Sequence, residues 1–482
     1  MLVPMFLSLH DTVSLAITGS ELVLENVHAR LTFNQTSPGI RAALEHLAKA
    51  NGEFDDQLMN MVMQADGPAG LAKFVYFLNR LIQRGLLLSS ARLQKTCLAT
   101  LEANSPQFFY QSRAISPERS YILSRFAYLR RQAGNTVLES PLSYARIRLN
   151  DWRAAALVHA LSKPCRLSEM NASIPVQVAE CMPVLLTLLL NANMVQVVDE
   201  DGTSSEDHHP ELQSWEFHDL LFHARSRLGR HDGSAGGTFR FVGRLDAPPA
   251  VKPPMSNDTI DLYRPDLERL AREDLPMAVV QEQRHSIRLY DDVPLNAQQL
   301  GEFLYRVGRI KNIEHVEIPI PSGQTVPMDF AFRPYPSGGA LYELELYIVV
   351  NAGADLERGL YHYDPQNHRL ERLNKMNEEV NQLLADASQA TTIPKERLQI
   401  LIIIAARVQR IAWKYETIAY ATILKNVGVL YQSMYLAATA MGLAPCAIGS
   451  GDSDVFARAA GIDYYAETSV GEFLLGSKAS SK

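Results

Sequence analysis

Apolar positions keep a repeating strand-then-helix rhythm through the first half of the chain and change to an alternation of helices and strands in the last third. In the first half, LENVHARLTF from Leu24 and LESPLSYARIRL from Leu138 both read as strand material. Each leads into a similar helix start, RAALEHLAK from Arg41 and RAAALVHALSK from Arg153. Each then closes with an apolar segment, FVYFLNRLIQRGLLL from Phe74 or VLLTLLLNANMVQVV from Val184, whose Leu, Ile and Phe fall on helical spacing before a short strand-like tail. The repetition predicts a small winged-helix-like unit used twice, over residues 1–95 and 126–200, with a helical connector at 96–125. Chance likeness between Ala- and Leu-rich helices is the competing explanation. Neither copy carries a catalytic constellation or a run of Lys and Arg, so a peptide laid along an exposed strand edge fits these units better than DNA does.

DEDGTSSED, from Asp199 to Asp207, breaks the apolar pattern. Residues 201–275 are expected to form a linker, because HDGSAGGT from His231 and APPAVKPP from Ala247 favour extended chain wrapped on a neighbouring surface. From residue 276 to 482 helices and strands alternate, as in an α+β or α/β domain. Leu344, Leu346, Ile348, Val349 and Val350 form a partly β-branched apolar run that predicts a central strand. A second buried strand is expected over Leu398–Ile404, and an apolar helix over Ile418–Met441 with Gly442 at its C′ position.

The net charge of −7 argues against a partner that tracks phosphates, so no nucleic-acid partner is expected. Cys97, Cys165, Cys181 and Cys446 lie far apart with no CxxC pair, which argues against a disulfide framework or zinc ribbon and fits a reducing cytoplasm. His218 and His223 are five apart, off the spacing that puts two metal ligands on one helical face, so no metal is expected. The first residues lack the basic region of a signal peptide, and the densest apolar patch of the N-terminal half, Val184–Leu190, is too short to cross a bilayer. No membrane partner is expected.

Candidate chemistry lies in the last third. RHSIRLY places Arg284, Ser286 and Arg288 at alternate positions, so extended backbone would point all three side chains to one side. Two guanidiniums and a hydroxyl suit a phosphate monoester with a polyol tail; the alternative is a solvated edge paired with Asp291 and Asp292. In RPYPSGGALYELELYIVV, from Arg333 to Val350, Ser337 is a good N-cap for a short turn, and Gly338 and Gly339 have no Cβ to keep a ligand from the backbone. Trp413, Lys414 and Tyr415 fall between the second strand and the long helix. A lysine buried there would have its pKa pulled down, making it a candidate base, whereas a snorkelling lysine would be ordinary. AIGSGDSD, from Ala447, places Gly449 and Ser450 in a donor-rich loop that could line a ring system. No GxGxxG follows a strand and no GxSxG elbow is present, so neither a Rossmann site nor a serine hydrolase is supported.

Together RHSIRLY, PYPSGGALYELELY, GLYHYDP, WKY and MYLAATAMGLAPCAIGSGDSD resemble the SagB-type, McbC-like dehydrogenases, azoline oxidases of the nitroreductase superfamily, over about residues 281–476. WEFHDLLFHARSRLGRHDG from Trp215 and the paired N-terminal units are similar to the longer members, which include cyanobactin thiazoline oxidases. The resemblance implies an α+β fold: a C-terminal nitroreductase-like FMN domain preceded by two winged-helix-like precursor-peptide recognition units. It also implies a homodimer with FMN at the subunit interface. Arg284, Ser286 and Arg288 would hold the phosphate and ribityl chain, Ser337, Gly338 and Gly339 would approach the flavin across the dimer, and Gln432, Gly449 and Ser450 would complete the pocket. Lys414 and Tyr415 fall on the family's catalytic Lys-Tyr pair. The implied reaction dehydrogenates thiazolines or oxazolines in a ribosomal peptide, with molecular oxygen as final acceptor and a cyclodehydratase as a further partner. An NAD(P)H-dependent nitro or quinone reductase and a peptide-binding scaffold with a vestigial flavin site are the alternatives. Two positions depart from the family pattern: Glu343 stands where many members have proline, and Ser433 replaces a frequent asparagine.

Overall fold

Each position of the run Leu344–Val350 is buried, because this strand lies inside a seven-stranded sheet covered on both faces. The computed structural model describes residues 2–18, 21–26, 29–169, 174–234, 236–353 and 356–479, and the chain divides into two units, Met1–Gly233 and Ser234–Lys482.

In the C-terminal unit the strands run in the order Thr259–Asp261, Arg369–Lys375, Gly359–Asp364, Leu344–Val350, Ile400–Arg407, Glu467–Ser477 and Leu443–Ile448. Every neighbouring pair is antiparallel, so the unit is α+β and the α/β alternative falls. Alternate residues of the central strands feed two cores. Leu346, Ile348, Ile402 and Ile404 pack with the helices Ala297–Gly308 and Ala419–Ala440. Tyr347, Val349, Leu401 and Ile403 pack with Glu378–Thr391 and Ser453–Ala460. The long helix ends where expected, with Gly442 in the left-handed region at φ +66°.

The N-terminal unit shows the expected succession twice. Helices Pro38–Lys49 and Trp152–Ala160 hold the matched helix starts, and Asp55–Gln83 and Met182–Asn191 hold the closing segments, followed by strands Leu87–Leu93 and Val195–Val198. The two copies are nonetheless not separate. One core runs through both, and strand Thr96–Ala103 pairs with Leu87–Leu93 on one side and Ala145–Leu149 on the other. The expected helical connector at 96–125 is therefore wrong: it contains Thr96–Ala103 and Ser120–Leu123, both strands. LENVHARLTF is also not one strand. Its ends belong to Glu21–Glu25 and Arg30–Phe33, which pair with each other, while Val27 and His28 lie outside the described residues.

The expected linker divides too. Residues 205–225 hold three short helices of the N-terminal unit, Ser205–His208, Pro210–Gln213 and Phe217–Arg225, anchored through the buried carboxylate of Glu206, which accepts a 2.7 Å hydrogen bond from the Ser124 hydroxyl. Beyond Gly233 the described residues hold no helix or strand before Thr259. Arg407 donates to the carbonyls of Pro249 and Ala250, and Thr259–Asp261 joins the sheet. Among the described residues no helix is long and apolar enough to cross a membrane.

Candidate active site

The residues singled out in the sequence gather into two clusters on the helix Ala419–Ala440. The first surrounds its N-terminal half. Gly338 donates its backbone N–H to Asn426 Oδ1 at 3.0 Å, and Asn426 Nδ2 donates to Ser337 Oγ at 3.1 Å and to Glu343 Oε1 at 2.8 Å. Ser337 Oγ in turn donates to Glu343 Oε2 at 3.2 Å and accepts from the Tyr342 N–H at 3.1 Å. Ser337 thus precedes the short turn Gly338–Ala340, as expected, but its side chain ties the loop from below and does not cap the turn. Glu343, the family departure, is the buried foundation of this tie. Burial pushes its carboxyl pKa up, while Asn426 and Ser337 act in the opposite direction.

The loop is held in a costly conformation. Gly339, Ala340 and Tyr342 have φ of +65°, +57° and +47°, and left-handed backbone at the last two costs on the order of 1–2 kcal/mol each. The Gly339 turn faces the Lys-Tyr pair: a Cβ added at Gly339 would lie 2.5 Å from the Tyr415 hydroxyl and 3.1 Å from the Lys414 amine. A Gly339→Ala variant should therefore keep its fold and lose at least about ten-fold in kcat, since the methyl displaces both groups; wild-type turnover would show that the close approach does not matter. Burial, and then the nearby Arg410, lowers the Lys414 pKa, and burial raises that of Tyr415. At neutral pH Lys414 is thus more easily deprotonated than a free lysine, and Tyr415 keeps its proton.

The second cluster surrounds the C-terminal half of the same helix. Residues 284–289 lie outside any helix or strand, and Ile287 donates its N–H to the Pro445 carbonyl at 2.8 Å. Ser286 Oγ lies 2.7 Å from the Tyr435 hydroxyl, and the Arg284 guanidinium sits 5.3 Å from the Tyr435 ring centroid. Burial pushes the Cys446 thiol pKa up, against the neighbouring Arg288 and Ser286. These shared neighbours give the row its expected common side. The expected alternative, pairing with Asp291 and Asp292, does not occur: among the described residues Arg284 and Arg288 form no ion pair with either, and Asp292 pairs with Arg397. Gly449 and Ser450 are exposed just beyond Leu443–Ile448, a strand fixed to the helix by bonds from the Tyr431 hydroxyl to the Ile448 carbonyl and from the Ala447 N–H to the Tyr435 hydroxyl. Gln432 is exposed one helical turn before Tyr435. Ser433 donates back to the Val429 carbonyl.

Thr422, against which Gly338 packs, and Tyr435 are thirteen residues apart, about 20 Å along the helix. Within one chain the arginine row and the Lys-Tyr pair therefore lie by opposite halves of this helix. Asn426 and Tyr435 had escaped the sequence reading, although a polar Asn amid apolar helix positions is a visible signal.

Three family models match the chain in succession: the ThcOx helix-turn-helix domain over residues 1–110, cyanobactin oxidase ThcOx over 121–232, and the nitroreductase family over 282–476. A putative nitroreductase of Methanocaldococcus jannaschii is 29% identical over 193 residues, spanning 40% of this chain and 85% of that protein. The trifolitoxin-processing protein TfxB of Rhizobium leguminosarum bv. trifolii is 30% identical over 113 residues, spanning 22% of this chain and 30% of that protein. Among solved structures, a putative nitroreductase of Exiguobacterium sibiricum in complex with FMN aligns with 43% of this chain and 93% of its own at 13% identity and a TM-score of 0.29. Two cyanobactin oxidase ThcOx models and the nitroreductase-family model thus match in order along one polypeptide, the last over the C-terminal residues 282–476.

Proposed function

We propose that this protein is an FMN-dependent oxidase that converts thiazolines or oxazolines of a ribosomally made peptide into thiazoles or oxazoles. The observation that carries this reading is the convergence of the Lys414 amine and the Tyr415 hydroxyl on the Gly339 turn. The residues present fit FMN. Arg284 and Arg288 leave two guanidiniums on one side of their segment with Ser286 between them, and the Gly338–Gly339 turn is a backbone surface that any Cβ would obstruct. The separation of the two clusters supports a homodimer, in which Arg284, Ser286, Arg288, Gln432, Gly449 and Ser450 of one subunit hold the FMN that Ser337, Gly338 and Gly339 of the other cover. An exposed stripe of Tyr420, Leu424 and Gly428 along the helix supports the same association.

In this reading the azoline ring loses two hydrogens. One leaves a ring carbon as a proton to the neutral Lys414 Nζ, and the other leaves the adjacent position with its electron pair. Bound FMN would supply the two-electron acceptor, with molecular oxygen restoring it. Tyr415 keeps its proton and donates a hydrogen bond beside the reacting ring.

Mixing the yellow protein with a thiazoline peptide under anaerobic conditions should bleach the flavin absorbance, and NADPH alone should not. Bleaching by NADPH but not by peptide would favour a nitro or quinone reductase, and no bleaching by either would favour a scaffold. The N-terminal unit is assigned to the leader peptide, taken as an added strand, with a cyclodehydratase as the enzyme that supplies the azoline. Removing residues 1–233 should weaken turnover of leader-bearing peptide more than that of a short azoline. Equal loss on both substrates would contradict this assignment.

A further inference from the structure

Lys414 also packs against the segment that opens the C-terminal unit. The backbone N–H and the hydroxyl of Thr417 both donate to the Ser234 carbonyl, at 3.2 and 3.1 Å. Gly237 forms an antiparallel bridge with Tyr415, the Phe239 N–H donates to the Lys414 carbonyl at 3.2 Å, and the Trp413 indole N–H donates to the Leu245 carbonyl at 2.9 Å. The residues around the Lys-Tyr pair are thus tied down one after another.

Phe239 is the unusual member of this strap. Its φ is +52°, a left-handed conformation that a bulky side chain rarely adopts, and it is nonetheless buried, with 7% of its surface exposed. Its ring meets Trp413 edge-on, with centroids 5.9 Å apart, and the Lys414 amine lies 5.8 Å from its centroid. A Cβ added at Gly237 would lie 3.4 Å from the Phe239 ring and 3.7 Å from Lys414 Cγ. The lysine side chain therefore contacts both the strap and the Gly339 turn. Strain of this kind persists where the surroundings over-determine it, and here those surroundings are the Lys-Tyr pair.

We propose that Phe239, presented by the strap Gly236–Leu245, is a positioning residue for Lys414: it confines the lysine stem so that the amine faces the Gly339 turn, and it keeps water from that amine. The inference rests on the reading of Lys414 as the base. The charged and titratable neighbours are few. Arg410 lies on the preceding short helix, Tyr415 is adjacent, and Arg240 and Glu416 pair at 3.7 Å on the flank. Glu343 is buried beneath the loop and engaged by Ser337 and Asn426, and the Gly338–Ala340 turn brings no charge. The face of the Phe239 ring favours an ammonium, yet the Lys414 pKa is shifted down and burial is the first cause, so exclusion of water is the larger influence.

The test reads Lys414 directly. Intact flavin-loaded protein is labelled with acetic anhydride across a pH series, and acetylation of the Lys414 peptide is followed by mass spectrometry. In Phe239→Ala the labelling midpoint should move to higher pH, and kcat on a short azoline should fall about ten-fold with little change in KM. An unchanged midpoint would overturn the proposal, whatever happens to kcat. If Phe239→Ala loses its flavin or fold, Phe239→Leu decides: a smaller shift in the same direction supports the proposal, and none overturns it. Should Lys414→Ala retain azole formation, the base assignment fails, while the labelling midpoint still decides what Phe239 does to the amine.

Discussion

Replacing Lys414 by alanine should leave a folded, yellow protein whose azole formation falls by about 10²–10⁴-fold, the usual contribution of a positioned general base. The lysine side chain fills no core: it is only half buried, and the residue's hydrogen bond to Phe239 is made by its backbone carbonyl. Loss of activity without loss of flavin would therefore report chemistry and not folding. The pH dependence gives a second signature. The proton acceptor is the neutral amine, so the wild-type rate rises as pH increases through the Lys414 pKa, and burial and Arg410 place that rise below the range of a free lysine. The residual rate of Lys414→Ala should lack this limb. Turnover unchanged from wild type would sink the assigned role.

The largest effect on stability is expected at Glu345. It lies fully buried in the central strand, 3.0 Å from Arg407, 3.5 Å from Arg333 and 3.6 Å from His362, which in turn lies 3.0 Å from Glu371. Burial alone would push its carboxyl pKa up, but these cations hold it well below the usual carboxylate range. Glu345→Ala would leave the buried Arg333 without its carboxylate and Arg407 with the carbonyls of Pro249 and Ala250. Breaking one partner out of a buried ionic group costs roughly 3–5 kcal/mol, so urea unfolding of the variant should show a midpoint far below that of the wild type. A loss under about 1 kcal/mol would mean that water or side-chain rearrangement relieves the two arginines.

How legible each feature was in the sequence follows from the range of the interactions that form it. The strand at Leu344–Val350 and the helix ending at Gly442 were readable because burial on both faces and a left-handed stop leave local signatures. The common side of Arg284, Ser286 and Arg288 was readable because extended backbone alternates with period two. Strand Thr96–Ala103 was missed because it turns from Leu87–Leu93 through Gln94 at φ +54°, without the Gly or Asn that usually marks such a turn. The merging of the two repeats into one sheet was invisible, since strand pairing over long separations leaves no local pattern. The same holds for the site. The Asn426–Ser337–Glu343 tie and the strained Phe239 join residues more than 80 positions apart or depend on a conformation that composition does not announce. Glu343, in the sequence only a departure from the family pattern, proves to be what fastens that loop from beneath.

The central claim is a two-hydrogen oxidation of azoline rings, and mass counts those hydrogens directly. Purified yellow protein is incubated in air with a peptide of defined thiazoline content, and the products are read by mass spectrometry. The account predicts a loss of two hydrogens for each ring oxidised, abolished in Lys414→Ala. A peptide mass that stays unchanged while NADPH reduces the bound flavin would contradict it.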